Sequence, residues 1–368
     1  MSKVLNPFLG HKVEYHILQS FPVSCLNRDD VGAPKSAMIG GTQRARVSSQ
    51  CWKRQVRLKL HEQGISIGVR TKLIMDLIAN ECAVLGATEE QAKDCGATAA
   101  NFFGGVKEGT SDTLMFISQT EAKAVAKAFY EIDFALPKIE KGDKKQTKDE
   151  KKESKVLQLQ IDKIMNAAFN PAFDGVDIAL FGRMVASAPS MNVEAASSFA
   201  HAISTHKISN EVEFFTALDD NKTEQGSAHM GSLEFNAATY YRYVSLNLGQ
   251  LWENLSGNNI PETVEAFTKA LFLAVPSARQ TTMSSVSPWD FAKITVRKGQ
   301  GLQVPFEKAV YPDQGSILVP SRKVLTDYLS KHEKLWGSLF GEIAEIEYGE
   351  SKTIDDVLEF LKTNTTKN

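Results

Sequence analysis

Between Val31 and His61 the sequence contains no Asp or Glu, yet it carries seven basic residues: Lys35, Arg44, Arg46, Lys53, Arg54, Arg57 and Lys59. Over the whole chain acids outnumber bases, 44 to 42, for a formal net charge of −2, so the imbalance is local. Clustered, unneutralised cations suit phosphate, because charge and N–H donors grip that anion whatever base it carries. A solvated helix face ordinarily mixes both signs; this one does not.

Other residue pairs suggest other chemistries. Asp29-Asp30 lie just before the basic segment, and adjacent carboxylates beside a phosphate-binding face could hold Mg²⁺. The alternative is that one of them pairs with Arg28 or caps the loop. His201 and His206 are five apart, off the HExxH spacing, so a zinc site is not expected. Cys25, Cys51, Cys82 and Cys95 form no CxxC pair, which argues against both a structural zinc and a disulfide framework. His229, in Gly226-Ser-Ala-His-Met-Gly, reads either as a structural hydrogen-bonding residue or as an RNA contact. Phe214-Phe215-Thr216 fall between Glu211, Glu213 and Asp219-Asp220, which favours a partly exposed hairpin or loop over core. No Walker motif, GxSxG elbow or GxGxxG is present.

The basic residues need elements to position them. Ser48 is a good N-cap, with Val47 and Trp52 placed to form a hydrophobic staple, so a helix is predicted from Ser49. On it Trp52, Val56 and Leu60 make an inward stripe, while Gln50, Lys53, Arg54 and Arg57 share another face. The helix N-terminus adds free N–H groups and a positive dipole end. Gly40-Gly41 permits a sharp turn or a close approach to a ligand. Val13–Ser20 reads as a first strand and Ser24–Gly41 as a long loop. Gly68–Phe129 is expected to be mainly helical, Val156–Ala168 a helix and Val176–Met184 a buried strand. Leu233–Leu248 is strand-forming in part, Glu262–Ala274 a helix begun by Pro261, and Phe291–Arg297 and Ile317–Pro320 short strands. Strands scattered among helices indicate an α+β fold. Lys138–Lys155 carries eight lysines against five acids with Ile139 its single apolar residue, and reads as a solvated loop, or more sharply as a phosphate contact.

At 368 residues with 42% hydrophobic content the chain can bury a large core, and its near-neutral charge argues against coating nucleic acid with the whole surface. The N-terminus lacks a signal-peptide pattern and no apolar stretch of about 18 residues exists to span a membrane, so a cytoplasmic protein without a membrane partner is expected.

Ordered motifs then carry a resemblance: Ser24-Cys-Leu-Asn-Arg-Asp-Asp30, Gly40-Gly41, Arg46-Val-Ser-Ser-Gln50 with Lys53-Arg54 and Arg57, Gly175-Val-Asp-Ile-Ala-Leu180 with Gly182-Arg-Met184, Ala200-His-Ala-Ile203, Phe215-Thr-Ala217, and Glu224-Gln-Gly-Ser-Ala-His229. Together these resemble the CasC-type backbone subunit of the type I-E CRISPR Cascade complex. The resemblance implies a right-hand shape: a modified RNA-recognition (ferredoxin-like) palm, a helical fingers insertion and a thumb loop. On that scheme residues 1–58 are the first part of the palm, 59–174 the fingers with the lysine-rich loop 138–155, and 175–368 the remaining palm with the thumb at about 190–235. It implies no catalysis, no cofactor and no metal. The partners implied are a CRISPR guide RNA, target DNA through guide pairing, about six copies of the chain in a head-to-tail row, and the large, small, RNA-processing and 5′-handle-binding subunits. Candidate RNA-binding residues are Arg28, Lys35, Arg44, Arg46, Ser48, Gln50, Lys53, Arg54 and Arg57 for the backbone. Met184, Phe214, Phe215, Thr216 and His229 are the candidates near a displaced base. A related type III backbone would instead cut RNA with Asp29 or Asp30 and a divalent metal.

Overall fold

The computed structural model describes residues 5–65, 67–102, 106–107, 110–111, 114–136, 159, 163, 165, 175–185, 189–218 and 227–366. The lysine-rich segment 138–155 and most of the helix expected over 156–168 lie outside these residues. The chain divides into two compact units: Met1–Gln63 with Ser197–Gly249 and Asn259–Asn368, and Gly64–Ala196 with Gln250–Asn258. The second unit therefore runs to Ala196, past the boundary of 174 expected for the insertion.

The first unit is built on an antiparallel sheet of nine strands among the described residues. They are β1 (His11–Ser24), β2 (Ser36–Ile39), β3 (Thr42–Val47), β4 (Ser197–Phe199), β5 (Ala202–Ser204), β6 (Glu211–Leu218), β7 (Ser227–Asn247), β8 (Phe291–Lys298) and β9 (Glu342–Tyr348). The main path runs β9-β8-β1-β7-β5-β3-β2, with β4 and β6 also paired to β7. β1 is central and buried on both faces. Tyr15 on one face meets Thr268 of the helix Ile260–Leu273 at 2.7 Å. On the other face Glu14, buried, accepts from Arg297 at 2.5 Å, from the Leu302 amide at 2.8 Å and from the Tyr243 hydroxyl. Helices therefore cover both sides, with Leu318–Trp336 contributing Leu325 and Leu329 to the core cluster of that second face.

In the second unit the helices Ile74–Val84, Glu89–Phe102 and Gln119–Tyr130 share one core with Ile78, Ala99, Val125 and Phe129. Gly96 marks a close crossing, since a Cβ there would meet the Met75 carbonyl oxygen at 2.3 Å. A buried Arg183–Glu121 pair at 2.8 Å fastens the segment after the third helix to its N-terminus.

Three expectations are corrected. Val176–Phe181 is a helix, not a strand: five apolar residues in a stretch of six do not distinguish the two, and Gly182 at φ +78° ends it. Ile317–Pro320 opens the long helix Leu318–Trp336, with Pro320 in its first turn where no N–H is needed. The region Ser24–Gly41 is not all loop, because Ser36–Ile39 pairs with Thr42–Val47. Gly40 and Gly41, at φ +56° and +71°, form the two-residue turn between them. Gly40 also lies so close to Glu307 that a Cβ would sit 2.1 Å from its carbonyl oxygen, so the close approach is to the chain itself.

Candidate nucleic-acid interface

The helix Ser49–His61 forms as its sequence dictates. The Ser48 hydroxyl accepts from the Cys51 amide, and Trp52, Val56 and Leu60 are buried. Val47 and Trp52 lie in one apolar cluster with Phe21, Ala202 and Tyr240, which presses the helix onto the sheet. Asn27 ties the preceding loop to this helix start: its Oδ1 accepts from the Ser48 amide at 2.9 Å, and its carbonyl accepts from the Lys35 amide at 2.8 Å. Those bonds leave the Ser49 and Gln50 amides with no protein acceptor among the described residues, at the positive end of the helix.

Around that end the cations gather. Gln50 and Arg54 are exposed, Lys53 and Arg57 half-buried. Lys53 lies over the Phe199 ring at 5.7 Å, and partial burial lowers its pKa. Arg46 donates to His201 Nδ1 at 3.1 Å and Arg57 to His61 Nε2 at 3.4 Å. A guanidinium only donates, so both imidazole nitrogens are unprotonated acceptors. Burial, then the neighbouring cations Arg46 and Lys35, hold His201 below the usual histidine pKa; burial, then Arg57, does the same for His61. Among the described residues no carboxylate pairs with Arg28, Lys35, Arg46, Lys53 or Arg54. Burial raises the Cys51 thiol despite Arg54 and Lys35, so it stays a thiol.

Two sequence-predicted contacts are repositioned. Arg44 is fully buried, and its guanidinium donates to Thr42 Oγ1, to the Ser204 carbonyl at 2.8 Å and to the carbonyls of Phe306 and Glu307. It cannot touch a phosphate at the surface. Ser48 is 7% exposed and occupied as the cap, so what the helix end offers an anion is its backbone.

The Asp29-Asp30 loop borders an open cleft of about 520 Å³ with Asn27, Arg28, Val31, Gly32 and Ala278. Asp29 Oδ1 accepts from the amides of Val31 at 3.0 Å and Ala33 at 2.9 Å, which makes it the loop cap of the two roles open to it. Among the described residues no three His, Cys, Asp or Glu side chains gather as metal ligands. Nor is any described helix long and apolar enough to cross a membrane.

The aromatic pair sits on a hairpin of β6 and β7, with Phe214 opposite Ser232, Phe215 opposite Gly231 and Thr216 opposite Met230. Side chains alternate along a strand, so Phe214 and Phe215 point to opposite faces. Phe214 (78% exposed) shares its face with Thr216 and Met230 (68%). Met230 is the member that sequence reasoning missed, signalled only by register. Phe215 lies against Gly231, where a Cβ would meet its ring at 2.4 Å. His229 pairs through its backbone with Ala217; its side chain lies outside the described residues. Met184 belongs to the second unit and is 82% exposed, turned out between the anchored Arg183 and buried Val185.

This geometry defines an α+β chain whose sheet carries an acid-free cationic helix end and an exposed apolar hairpin. Its counterparts among solved structures are chains of CRISPR complexes. One, described as a CRISPR RNA-guided surveillance complex, pre-nicking, aligns with a TM-score of 0.78 and 27% identity over 96% of this chain and 100% of that one. Another, described as a CRISPR RNA-guided surveillance complex, shares the fold with a TM-score of 0.67 and 23% identity over 96% and 99% of the two chains. A family model described as CT1975-like protein matches residues 13–357. The chain belongs to this CT1975-like Cas family. No curated protein matches it.

Proposed function

We propose that this chain is the repeated backbone subunit of a type I-E Cascade surveillance complex, holding a CRISPR guide RNA by its phosphates. The observation that carries the reading is the helix end at Ser49 and Gln50, flanked by Lys35, Arg46, Lys53 and Arg54, with no carboxylate paired to them among the described residues. Cations and backbone amides grip phosphate without reading bases, so one subunit serves any guide and specificity passes to pairing with target DNA. Near-full-length similarity to a chain of an RNA-guided complex supports the same partner and the company of further Cascade subunits. In the right-hand description the sheet unit is the palm, the second unit the fingers, and the β6–β7 hairpin part of the thumb. Phe214 with Met230, and Met184 from the fingers, are apolar and exposed, as a wedge that unstacks one base per copy requires. About six copies follow one another along the guide in a head-to-tail row.

Asp29 Oδ1 accepts from two amides, a loop-cap role that supports a scaffold over a nuclease. The scaffold works in the cytoplasm. Co-expression with a CRISPR array and sizing of the co-purified RNA tests the reading. A single short species of uniform length is expected; a heterogeneous mixture of cellular RNA refutes a guide scaffold in favour of general coating. Incubating the loaded complex with complementary RNA and Mg²⁺ should leave that RNA intact. Regularly spaced cuts lost in Asp29→Ala or Asp30→Ala would establish the type III-like alternative.

A further inference from the structure

Buried arginines normally sit against carboxylates, because an ion removed from water must be compensated. In this chain Arg297 meets Glu14 at 2.5 Å and Arg183 meets Glu121 at 2.8 Å, all four side chains buried. Arg44 and Arg242 break the pattern. Arg44 is 0% exposed and reaches one hydroxyl and three carbonyls. Arg242 is 2% exposed; it donates to Gln19 Oε1 at 2.5 Å and Leu271 O at 3.4 Å, and its guanidinium lies 3.6 Å from the centre of the Trp52 ring. Its Nε has no partner among the described residues. Neither arginine has a carboxylate partner among the described residues.

They lie on opposite faces of the sheet, Arg242 on the side of Tyr240 and Trp52, Arg44 on the side of Phe306 and next to Arg46 on β3. Trp52 is the inward residue of the helix Ser49–His61, so Arg242 stands beneath that helix. Arg44 precedes Arg46 by two residues on β3, so the two project from the same side of the strand. Burial pulls the Arg242 pKa down to about 9 and lowers that of Arg44, and Arg242 remains protonated at neutral pH.

We infer that Arg44 and Arg242 are electrostatic positioning residues for RNA, two buried unneutralised charges, one on each face of the sheet, that raise the potential of the surface without touching a phosphate. The inference rests on the RNA-binding reading above. Net neutral dipoles and an aromatic face hold these guanidinium groups in place while leaving their field intact, which a paired carboxylate would cancel. The arrangement also spares the surface two long side chains that would otherwise be ordered on binding. Across ~10 Å, and after screening at ~0.1 M salt, each charge is worth about a three-fold gain in affinity.

The test uses the full chain and a fluorescein-labelled, unstructured single-stranded RNA. Arg242→Gln and Arg44→Gln keep hydrogen-bond donors and remove the charge, with melting temperature measured alongside. Each is expected to bind the RNA about three-fold more weakly at ~0.1 M salt, a defect that fades as added salt screens the field. Unchanged affinity in the folded variants at ~0.1 M salt, or a defect that persists undiminished at ~1 M, overturns the inference. Where glutamine at 242 unfolds the chain, Arg242→Met, whose stem still covers Trp52, carries the same test. A readout without RNA separates the two readings. Arg44 contributes to depressing His206, so Arg44→Gln should raise the His206 pKa measured by NMR. If the wild type binds no RNA, the proposed function falls while a raised His206 pKa still supports the buried charge; an unmoved one overturns it.

Discussion

Replacing Lys53 and Arg54 by alanine removes two cations from the flank of the helix Ser49–His61 and leaves the buried stripe of Trp52, Val56 and Leu60 untouched. Alanine is the best helix former, so the helix persists. Its stability cost is confined to the contact of Lys53 with the Phe199 ring, about 0.5–1 kcal/mol. The binding cost is larger and salt-dependent. Each phosphate neutralised on a single strand contributes about 0.7 to the slope of log K against log salt, so two lost contacts lower the slope by about 1.4. Extrapolated from 1 M, that predicts about a 25-fold loss of affinity at 0.1 M salt, shrinking to about 2.6-fold at 0.5 M. Fluorescence anisotropy of a labelled single-stranded RNA, titrated at five salt concentrations, reads both numbers. Parallel log–log lines for wild type and variant would refute the argument, since they would mean that this flank faces no phosphate.

The remaining predictions concern protons, backbone and the hairpin. RNA phosphate beside His201 raises a pKa that burial, Arg46 and Lys35 hold down in the free chain, so binding takes up a proton and tightens as pH falls from 7.5 towards 5.5; calorimetry in buffers of different ionisation enthalpy should show the uptake, and pH-independent affinity would contradict it. His16 is buried, and burial, then Arg297 and Lys293, push its pKa down to about 3, so the unfolded chain binds the proton first. Stability should therefore be full above pH 6.5 and fall by up to roughly 1.4 kcal/mol per pH unit as pH drops from there towards 3, a component that His16→Gln removes from denaturant titrations. Gly40→Ala should destabilise by about 3 kcal/mol, from positive φ plus the collision with Glu307, whereas Gly41→Ala, with open space at its Cβ, should cost about 1 kcal/mol in thermal unfolding. Phe214→Ala should leave the melting temperature within about 1 °C yet quench the fluorescence of an unstacked 2-aminopurine in bound RNA; an unchanged signal would exclude Phe214 as the wedge.

The helix Ser49–His61 was legible in the sequence because its cap, staple and inward stripe are all local, each built from neighbours no more than five positions apart. The fate of Arg44 was not. It is the same residue type as Arg46 two positions on, and what separates a buried guanidinium from a surface one is where Ser204 and Phe306, distant in sequence, deliver their carbonyls. Arg242 was hidden for the same reason, since Trp52, Gln19 and Leu271 meet it only in the folded sheet. The Phe214-Phe215 pair was recognisable as an exposed hairpin, but strand alternation splits the two and brings in Met230 from across the ladder. Val176–Phe181 failed as a strand because six residues, five of them apolar, carry too little periodicity to choose.

One strand serves two masters in this fold. Asn236–Asn247 of β7 is bonded to β1 at the centre of the sheet, while Ser227–Phe235, the same unbroken strand, carries the hairpin partner β6. Phe214, opposite Ser232, is thus cantilevered from the core by the four residues Ser232–Phe235, roughly 13 Å of ladder. Such a lever can change its reach only in discrete steps. Deleting one residue from each arm would turn Phe214 and Met230 to the opposite face, while deleting two from each restores the face about 7 Å closer to the sheet. The hairpin is a ruler graduated in residue pairs, and the spacing it imposes on whatever it touches is written in the length of a single strand.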